Sequence, residues 1–409
     1  MKLPAPTLPY LDPNSGRPLV AAESGILTDG RVEWPVVAGI PYLRTNRDRL
    51  RREALDALAA GDERRALVTL LADQDDFARI GPPSPDELHR LVDAVEGGRM
   101  TLRAVMEGLN FGPVADYFAY RWSSPTYLSG LMLLDRCGAD PALPVVEVAC
   151  GIGHYLRDLA RRGRAAVGAD VVFAKLWLAR RFLVPDEVPL VCGDVAAGFP
   201  LGPIPGGAVA FCHDAFYFLP DKPRVIAGLR QMVGPGGSIL IGHAHNRDHD
   251  HGGVAGEPKT PAEYESLLAG CRLYDDAELA RSAWTGADAR PRRAAELAAV
   301  EAVAMVAGPG GDGRHAGPSL LDPVPGTPLR LNPLLVDRAG VLEPRWPSDR
   351  FRAEYEAASG YLTGESPPAE GTLAAAADGA VGRETDPEVD RLARRRVLLD
   401  LPERWGTEA

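Results

Sequence analysis

The 409 residues contain five cysteines, Cys137, Cys150, Cys192, Cys212 and Cys271, and no two of them stand in C-x-x-C spacing. That absence excludes a ribbon-type zinc site and argues against a disulfide framework. Positive charge is also short: 45 Lys and Arg face 56 Asp and Glu, for a formal net charge of −11 and a pI near 5.3. A general electrostatic grip on nucleic acid is therefore not expected. The basic run Arg44, Arg47, Arg49, Arg51 and Arg52 is followed by acids and reads as the solvated face of a helix. No apolar run is long enough to cross a membrane, and Met1-Lys2-Leu3-Pro4 opens no signal peptide, so the cytoplasm is the expected compartment. No internal repeat is visible. What the chain does have is 45% hydrophobic residues, enough for a sizeable core.

The stretch Val145-Val146-Glu147-Val148-Ala149-Cys150-Gly151-Ile152-Gly153-His154, continued to Gly168-Ala169-Asp170, organises the rest. Val145 to Ala149 is short, apolar and β-branched, which predicts a strand buried on both faces of a parallel sheet. Gly151 and Gly153 permit a sharp turn and the close approach of a ligand to the backbone. Tyr155 to Arg162 reads as a helix ending at Gly163, and Ala165 to Ala169 as a second strand. Asp170 then stands where a carboxylate accepts both hydroxyl hydrogens of a ribose. The fingerprint G-x-G-x-x-G that cradles a pyrophosphate is not matched, because Leu156 occupies the third glycine position.

Downstream, Pro189 to Val195 reads as a third strand ending at Asp194, and Ala208 to Asp214 as a fourth. Lys222 to Val233 reads as a helix, Gly234-Pro235-Gly236-Gly237 as a turn, and Ser238 to Gly242 as a fifth strand. In this order the segments resemble the Rossmann-like (class I) S-adenosylmethionine (SAM)-dependent methyltransferases, in the variant with Ala149-Cys150 replacing the first glycine of the loop. The resemblance implies an α/β fold: a seven-stranded Rossmann-like sheet with helices on both faces, a small N-terminal β-rich lobe and a C-terminal extension. It implies SAM as cofactor, held by Glu147, Ala149, Cys150, Gly151, Gly153, Asp170, Val171, Asp194, Val195 and His213, with Asp194 on the adenine amine.

Residues 1–43 resemble a small zinc-ribbon-like lobe that accompanies some methyltransferases, on the hairpin Leu27 to Leu43. Its metal cysteines are absent: Asp12 and Ser15 stand where the knuckle would lie. Residues 44–136 are expected to be helical and to cover the cofactor, with Tyr117, Tyr120 and Arg121 as candidate lining. The core is expected over 137–346, with residues 260–282 and Arg292 to Ala307 helical, and with Leu329 to Val336 and Gly340 to Trp346 as its closing hairpin. In the extension 347–409, Arg350 to Tyr361 and Pro387 to Leu399 read as helices and Glu365 to Thr385 as disordered.

Half of the eight histidines lie in His243-Ala244-His245-Asn246-Arg247-Asp248-His249-Asp250-His251. A metal site and a solvated or substrate-facing loop both account for that run, and no residue is assigned to a metal. The expected function is methyl transfer from SAM to an oxygen or nitrogen of a small-molecule acceptor, a specialised metabolite. His213, His243 and His245, at the carboxyl ends of the fourth and fifth strands, are the candidate catalytic groups. An RNA base methyltransferase, disfavoured by the charge, and a non-catalytic scaffold that binds SAM or S-adenosylhomocysteine (SAH) are the alternatives. Neither the acceptor nor the oligomeric state is legible.

Overall fold

The computed structural model describes residues 8–22, 25–75, 78, 80–137, 140–251, 255–309, 319–362, 364–379 and 387–406. Four short strands come first: β1 Val20–Ala21, β2 Ile26–Thr28, β3 Glu33–Val37 and β4 Ile40–Leu43. Helices α1 Asp48–Ala59 and α2 Glu63–Leu71 are separated at Gly61 (φ +73°). Then α3 Pro85–Glu96 starts at a capping box formed by Ser84 and Glu87. After α4 Leu102–Gly108 come α5 Pro113–Ala119, a single 3₁₀ turn at Arg121–Ser123, and α6 Pro125–Arg136.

The central sheet follows. Its elements are β5 Val145–Val148, α7 His154–Arg161, β6 Ala166–Asp170, α8 Phe173–Leu178, β7 Leu190–Gly193, β8 Val209–His213, α9 Lys222–Val233 and β9 Ser238–His245. After them run α10 Pro261–Leu267, β10 Arg272–Asp275, α11 Asp276–Thr285 and β11 Ala302–Ala307. The strand order β7-β6-β5-β8-β9-β11-β10 makes a seven-stranded unit. Neighbours β7 to β9 are parallel, while β11 runs antiparallel to both β9 and β10. Alternate residues of each strand feed two cores. Val145, Phe211 and Leu240 pack with Leu131 of α6, Leu156 of α7 and Trp177 of α8; Val146, Ala210 and Ile241 pack with Leu229 of α9 and Tyr264 of α10. Helices thus cover both faces, the α/β arrangement the sequence predicts.

Six expectations are corrected here. Residues 260–282 are not one helix, since β10 interrupts them, and Arg292 to Ala307 is not a helix but ends in β11. The hairpin of β13 Leu335–Arg338 and β14 Val341–Pro344, preceded by β12 Arg330–Leu331, does not close the main sheet; it is a separate two-stranded sheet. Closure is made by β10 and β11 instead. In the extension, α12 Asp349–Tyr355 is shorter than expected, α13 Glu370–Ala377 falls in the stretch expected to be disordered, and α14 Pro387–Arg394 gives way to β15 Leu398–Leu399, paired with β12. Part of that stretch, 380–385, lies outside the described residues, as does most of the loop at 308–318.

The N-terminal strands extend the sheet rather than stand apart. Strand β4 pairs in parallel with β7, Tyr42 opposite Cys192 and Leu43 opposite Gly193, so the sheet reaches eleven strands. At the expected knuckle, Asp12 is 1% exposed and its carboxylate accepts from the backbone N of Asn14 (3.1 Å) and Ser15 (2.6 Å), from Ser15 Oγ (2.8 Å) and from Trp34 Nε1 (2.8 Å). One side chain therefore organises this turn through hydrogen bonds.

Candidate functional site

The strand order reverses between β5 and β8, so the loops leaving their carboxyl ends diverge and open a crevice, the place where open α/β sheets bind ligands. Ala149 (φ +58°) and Asp214 (+55°), just past β5 and β8, and His243 (+48°), near the end of β9, have left-handed backbone. Such conformations cost on the order of 1–3 kcal/mol each and concentrate where function demands a particular aim.

The loop after β5 is built as the motif predicts. Gly151 (φ +56°) donates its N–H to Asp170 Oδ2 at 2.8 Å, joining the glycine turn to the end of β6. Asp170 Oδ1 accepts from Val172 N at 2.9 Å and lies 3.9 Å from Lys175 Nζ. Lys175 also reaches Asp75 at 3.5 Å, which lines a cleft of about 410 Å³ with Asn46, Arg47, Asp73 and Pro82. A Cβ on Gly151 would stand 2.9 Å from the ring of Phe118, because α5 lies directly on the turn. Gly151, Phe118 and Asp170 are all buried beneath this cover.

Glu147 points into the same region. It is 3% exposed, its Oε2 has no hydrogen-bond partner among the described residues, and burial drives its carboxyl well above the usual range. Its other contacts, a backbone hydrogen bond at Leu156 and the nearby charge of Arg121, only partly offset burial, so a cationic ligand at Oε2 would favour the charged form. The remaining expected cofactor residues divide. Asp194 Oδ1 caps its own turn, accepting from Ala196 N (2.9 Å) and Ala197 N (3.3 Å). Val195 is buried among the apolar residues beside β7, Val171 is partly buried, and Cys150 is buried with its thiol pushed far up by burial.

The three histidines part ways. His213, 6% exposed, has Nδ1 within 3.3 Å of Tyr155 Oη and 3.4 Å of Arg121 Nη2, and Nε2 3.2 Å from Ser129 Oγ, so both ring nitrogens are occupied inside the core. Burial pushes it down to about 3. His243 donates from Nδ1 to Asp276 Oδ2 at 2.8 Å, and its backbone N donates to Asp276 Oδ1 at 3.1 Å. Its burial disfavours charge, yet Asp276 and then Asp214 push it up to about 9. Two buried carboxylates thus favour the protonated form of His243. His245 is stacked between Tyr217 (3.8 Å, 9°) and His251 (4.0 Å, 4°), and burial, then its neighbour His243, brings it down to about 3.

Asp214 joins these groups to the cover. Its Oδ2 accepts from Tyr117 Oη (2.8 Å) and Arg121 Nη1 (3.0 Å), and its Oδ1 from Tyr217 Oη (3.1 Å). Tyr117 and Arg121 thus line the site as expected. Tyr120 does not: it packs against Phe351 and Trp405 and takes a hydrogen bond from Arg103. Sequence reasoning missed Asp214, Asp276, Tyr217, Lys175 and Phe118. The pair His213-Asp214 at a strand end was the available signal for the first; Asp276 had none, because the strand before it read as helix.

His154, the last residue of the motif, shows how strongly this region resists charge. It donates from Nε2 to the Phe118 carbonyl at 2.9 Å, its ring packs on Trp122 at 4.4 Å, and burial pushes its imidazole down to about 3. The unfolded chain protonates near pH 6.5, so between about 6.5 and 3 it binds the extra proton and stability falls with pH, by about 2 kcal/mol at pH 5. His154→Gln keeps a donor for Phe118 and is expected to remove about one proton from the acid dependence of urea unfolding. An unchanged slope between pH 7 and 5 would mean that the folded protein protonates His154 normally.

Residues 146–241 match the family model described as a methyltransferase domain. The ubiquinone biosynthesis O-methyltransferase of Pseudomonas paraeruginosa is 29% identical over 98 residues, 24% of this chain and 42% of the relative. The chain thus spans less than half the length of that curated relative. Among solved structures, a chain of the complex between the Haloferax volcanii Trm112 methyltransferase activator and a methyltransferase aligns at 18% identity and TM-score 0.35, over 50% of this chain and 97% of that one. The Haemonchus contortus phosphoethanolamine N-methyltransferase 2 with SAM aligns at 14% identity and TM-score 0.34, over 51% and 59%. Residues 146–241, about a quarter of the chain, thus resemble a methyltransferase domain.

Proposed function

We propose that this chain is a SAM-dependent methyltransferase acting on an oxygen or nitrogen of a small-molecule acceptor, a specialised metabolite. The single observation that carries the reading is the join of Gly151 N to Asp170 beside the buried Glu147, whose Oε2 has no hydrogen-bond partner among the described residues, inside a segment that matches a methyltransferase domain. Gly151, Gly153 and Asp170 would hold the nucleoside, and Glu147 the cationic methionyl end. SAM supplies a methyl group on a sulfonium, a leaving group already built in. The chain's own work is then to orient the acceptor, exclude water and receive or release its proton. Asp214, His243 and His245, gathered at the ends of β8 and β9, form the acceptor end. Because α5 covers the loop, admission of the cofactor requires Phe118 and its helix to shift.

A small acceptor is supported by the net charge of −11 and by the enclosure of the crevice under Tyr117, Phe118 and Arg121, which suits a pocket better than a polynucleotide track. Residues 1–43 are read as a metal-free counterpart of the zinc-ribbon-like lobe, supported by the hydrogen bonds of Asp12. Calorimetry of the full chain with SAH tests the core of this reading. Saturable binding to one site that weakens in Glu147→Leu is expected; no heat of binding for SAM or SAH would end it.

A further inference from the structure

Three metal-ligating side chains converge at the acceptor end, and each is held from behind. Asp214, His243 and His245 present one ligand atom each within 4.8 Å of one another, with His243 Nε2 3.9 Å from Asp214 Oδ1. Donors around one ion at about 2.0–2.2 Å lie roughly 3–4 Å apart, so small side-chain rotations close the set. His243 is fixed by Asp276 at Nδ1, which leaves Nε2 facing the group. Asp214 is fixed at Oδ2 by Tyr117 and Arg121, which turns Oδ1 the same way. His245 is clamped between two rings and only 7% exposed, and neither of its ring nitrogens has a hydrogen bond among the described residues.

We propose that Asp214, His243 and His245 form a binding site for a first-row divalent transition-metal ion, with open positions that take the oxygen of the methyl acceptor. Two imidazoles and one carboxylate favour zinc, iron or a related ion over magnesium, which prefers oxygen donors throughout. Asp276 behind His243 is the carboxylate–histidine pair that orients metal-bound imidazoles and raises their basicity. An ion bound at Nε2 displaces the proton that the two carboxylates favour on His243; with both imidazoles then neutral, those carboxylates outweigh Arg121 by one negative charge, which the ion balances in the proton's place. The ion site itself does not depend on the methyltransferase reading; its role does. In that role the ion binds the acceptor hydroxyl, whose O–H proton leaves to water. The oxygen then forms the new C–O bond to the methyl group as the C–S bond breaks and sulfur keeps its electron pair.

The test loads chelator-treated full-length protein with zinc or cobalt(II), desalts it and measures metal per chain, with cobalt absorption reporting the ligand field. One ion per chain is expected. His245→Phe preserves the stack with Tyr217 and His251 but removes both nitrogens, and should lose the ion while keeping the unfolding temperature near wild type. Asp276→Asn should weaken metal affinity by about 10–100-fold, and His249→Ala should leave it unchanged. Absence of a bound ion in the wild type, or an ion retained equally by His245→Phe and Asp214→Asn, overturns the site. SAH binding measured on the same samples separates the outcomes: intact SAH binding without an ion defeats this inference alone, and an ion without SAH binding defeats only the proposed transfer reaction.

Discussion

Asp170→Ala should weaken SAH binding by about 2 kcal/mol, roughly 30-fold, and should also destabilise the unliganded protein. Two separate losses are involved. The carboxylate would no longer accept the ribose hydroxyls, a charge-assisted contact of roughly 2 kcal/mol. Beyond that, Asp170 accepts the N–H groups of both Gly151 and Val172, at 2.8 and 2.9 Å, so its removal leaves two buried donors without partners and frees the glycine turn from the end of β6. A buried orphan of this kind costs about 1–3 kcal/mol. Asp170→Asn should fall between, because an amide oxygen can serve one donor while its NH₂ opposes the other. Calorimetry with SAH and urea unfolding without it separate the two terms. Unchanged affinity would remove Asp170 from the cofactor site; changed affinity with unchanged stability would show that the backbone contacts are not worth what burial implies.

Arg121→Met is expected to cost about 3 kcal/mol of folding stability, at the low end of what breaking a buried ion pair costs. The guanidinium is 3% exposed, sits 3.0 Å from Asp214 and lies 4.7 Å over the ring of Tyr117. Burial alone would raise the Asp214 carboxyl, but His243 and then Arg121 hold it well below the usual carboxylate range. Without the arginine, Asp214 keeps the hydroxyls of Tyr117 and Tyr217 and the His243 charge, which is why the loss stays at the low end. Because the cost arises from the stranded charge, Asp214→Asn combined with Arg121→Met should be less damaging than the sum of the single changes. Denaturant unfolding of the four proteins measures this directly. Strict additivity would show that the two groups do not interact despite their distance.

The parts of the site that are legible in the amino-acid sequence are those in which local sequence and local geometry coincide. Strand β5, the turn at Gly151 and Gly153, and Asp170 at the end of β6 lie within 26 consecutive residues and read correctly, because a β-branched run, glycines and an acid each have one dominant local meaning. The same local reasoning misplaced β11. Ala302-Val303-Ala304-Met305-Val306-Ala307 has the composition of a helix, and only its position between β9 and β10 makes it a strand buried almost throughout. Burial on both faces erases the alternation that would have marked it.

The chemistry-bearing cluster lay further out of reach. Tyr117 meets Asp214 across 97 positions, and His243 meets Asp276 across 33, contacts with no local signature. Histidines look equivalent in sequence, since imidazole is neutral or charged according to what surrounds it. Tertiary packing alone sent His213 into the core beside Ser129 and Tyr155 and placed His243 between two carboxylates. The N-terminal strands make the same point: their hairpin is readable from Leu27 to Leu43, but not that β4 satisfies the open edge of β7. The sequence by itself determined the glycine turn after β5, the alternating α/β order and the lack of cysteines at the N-terminal knuckle. Only the tertiary structure decided which strands close the sheet, which groups face the crevice and what charge they carry, because edge pairing, desolvation and charge neighbours are properties of packed surfaces rather than of neighbouring residues along the chain.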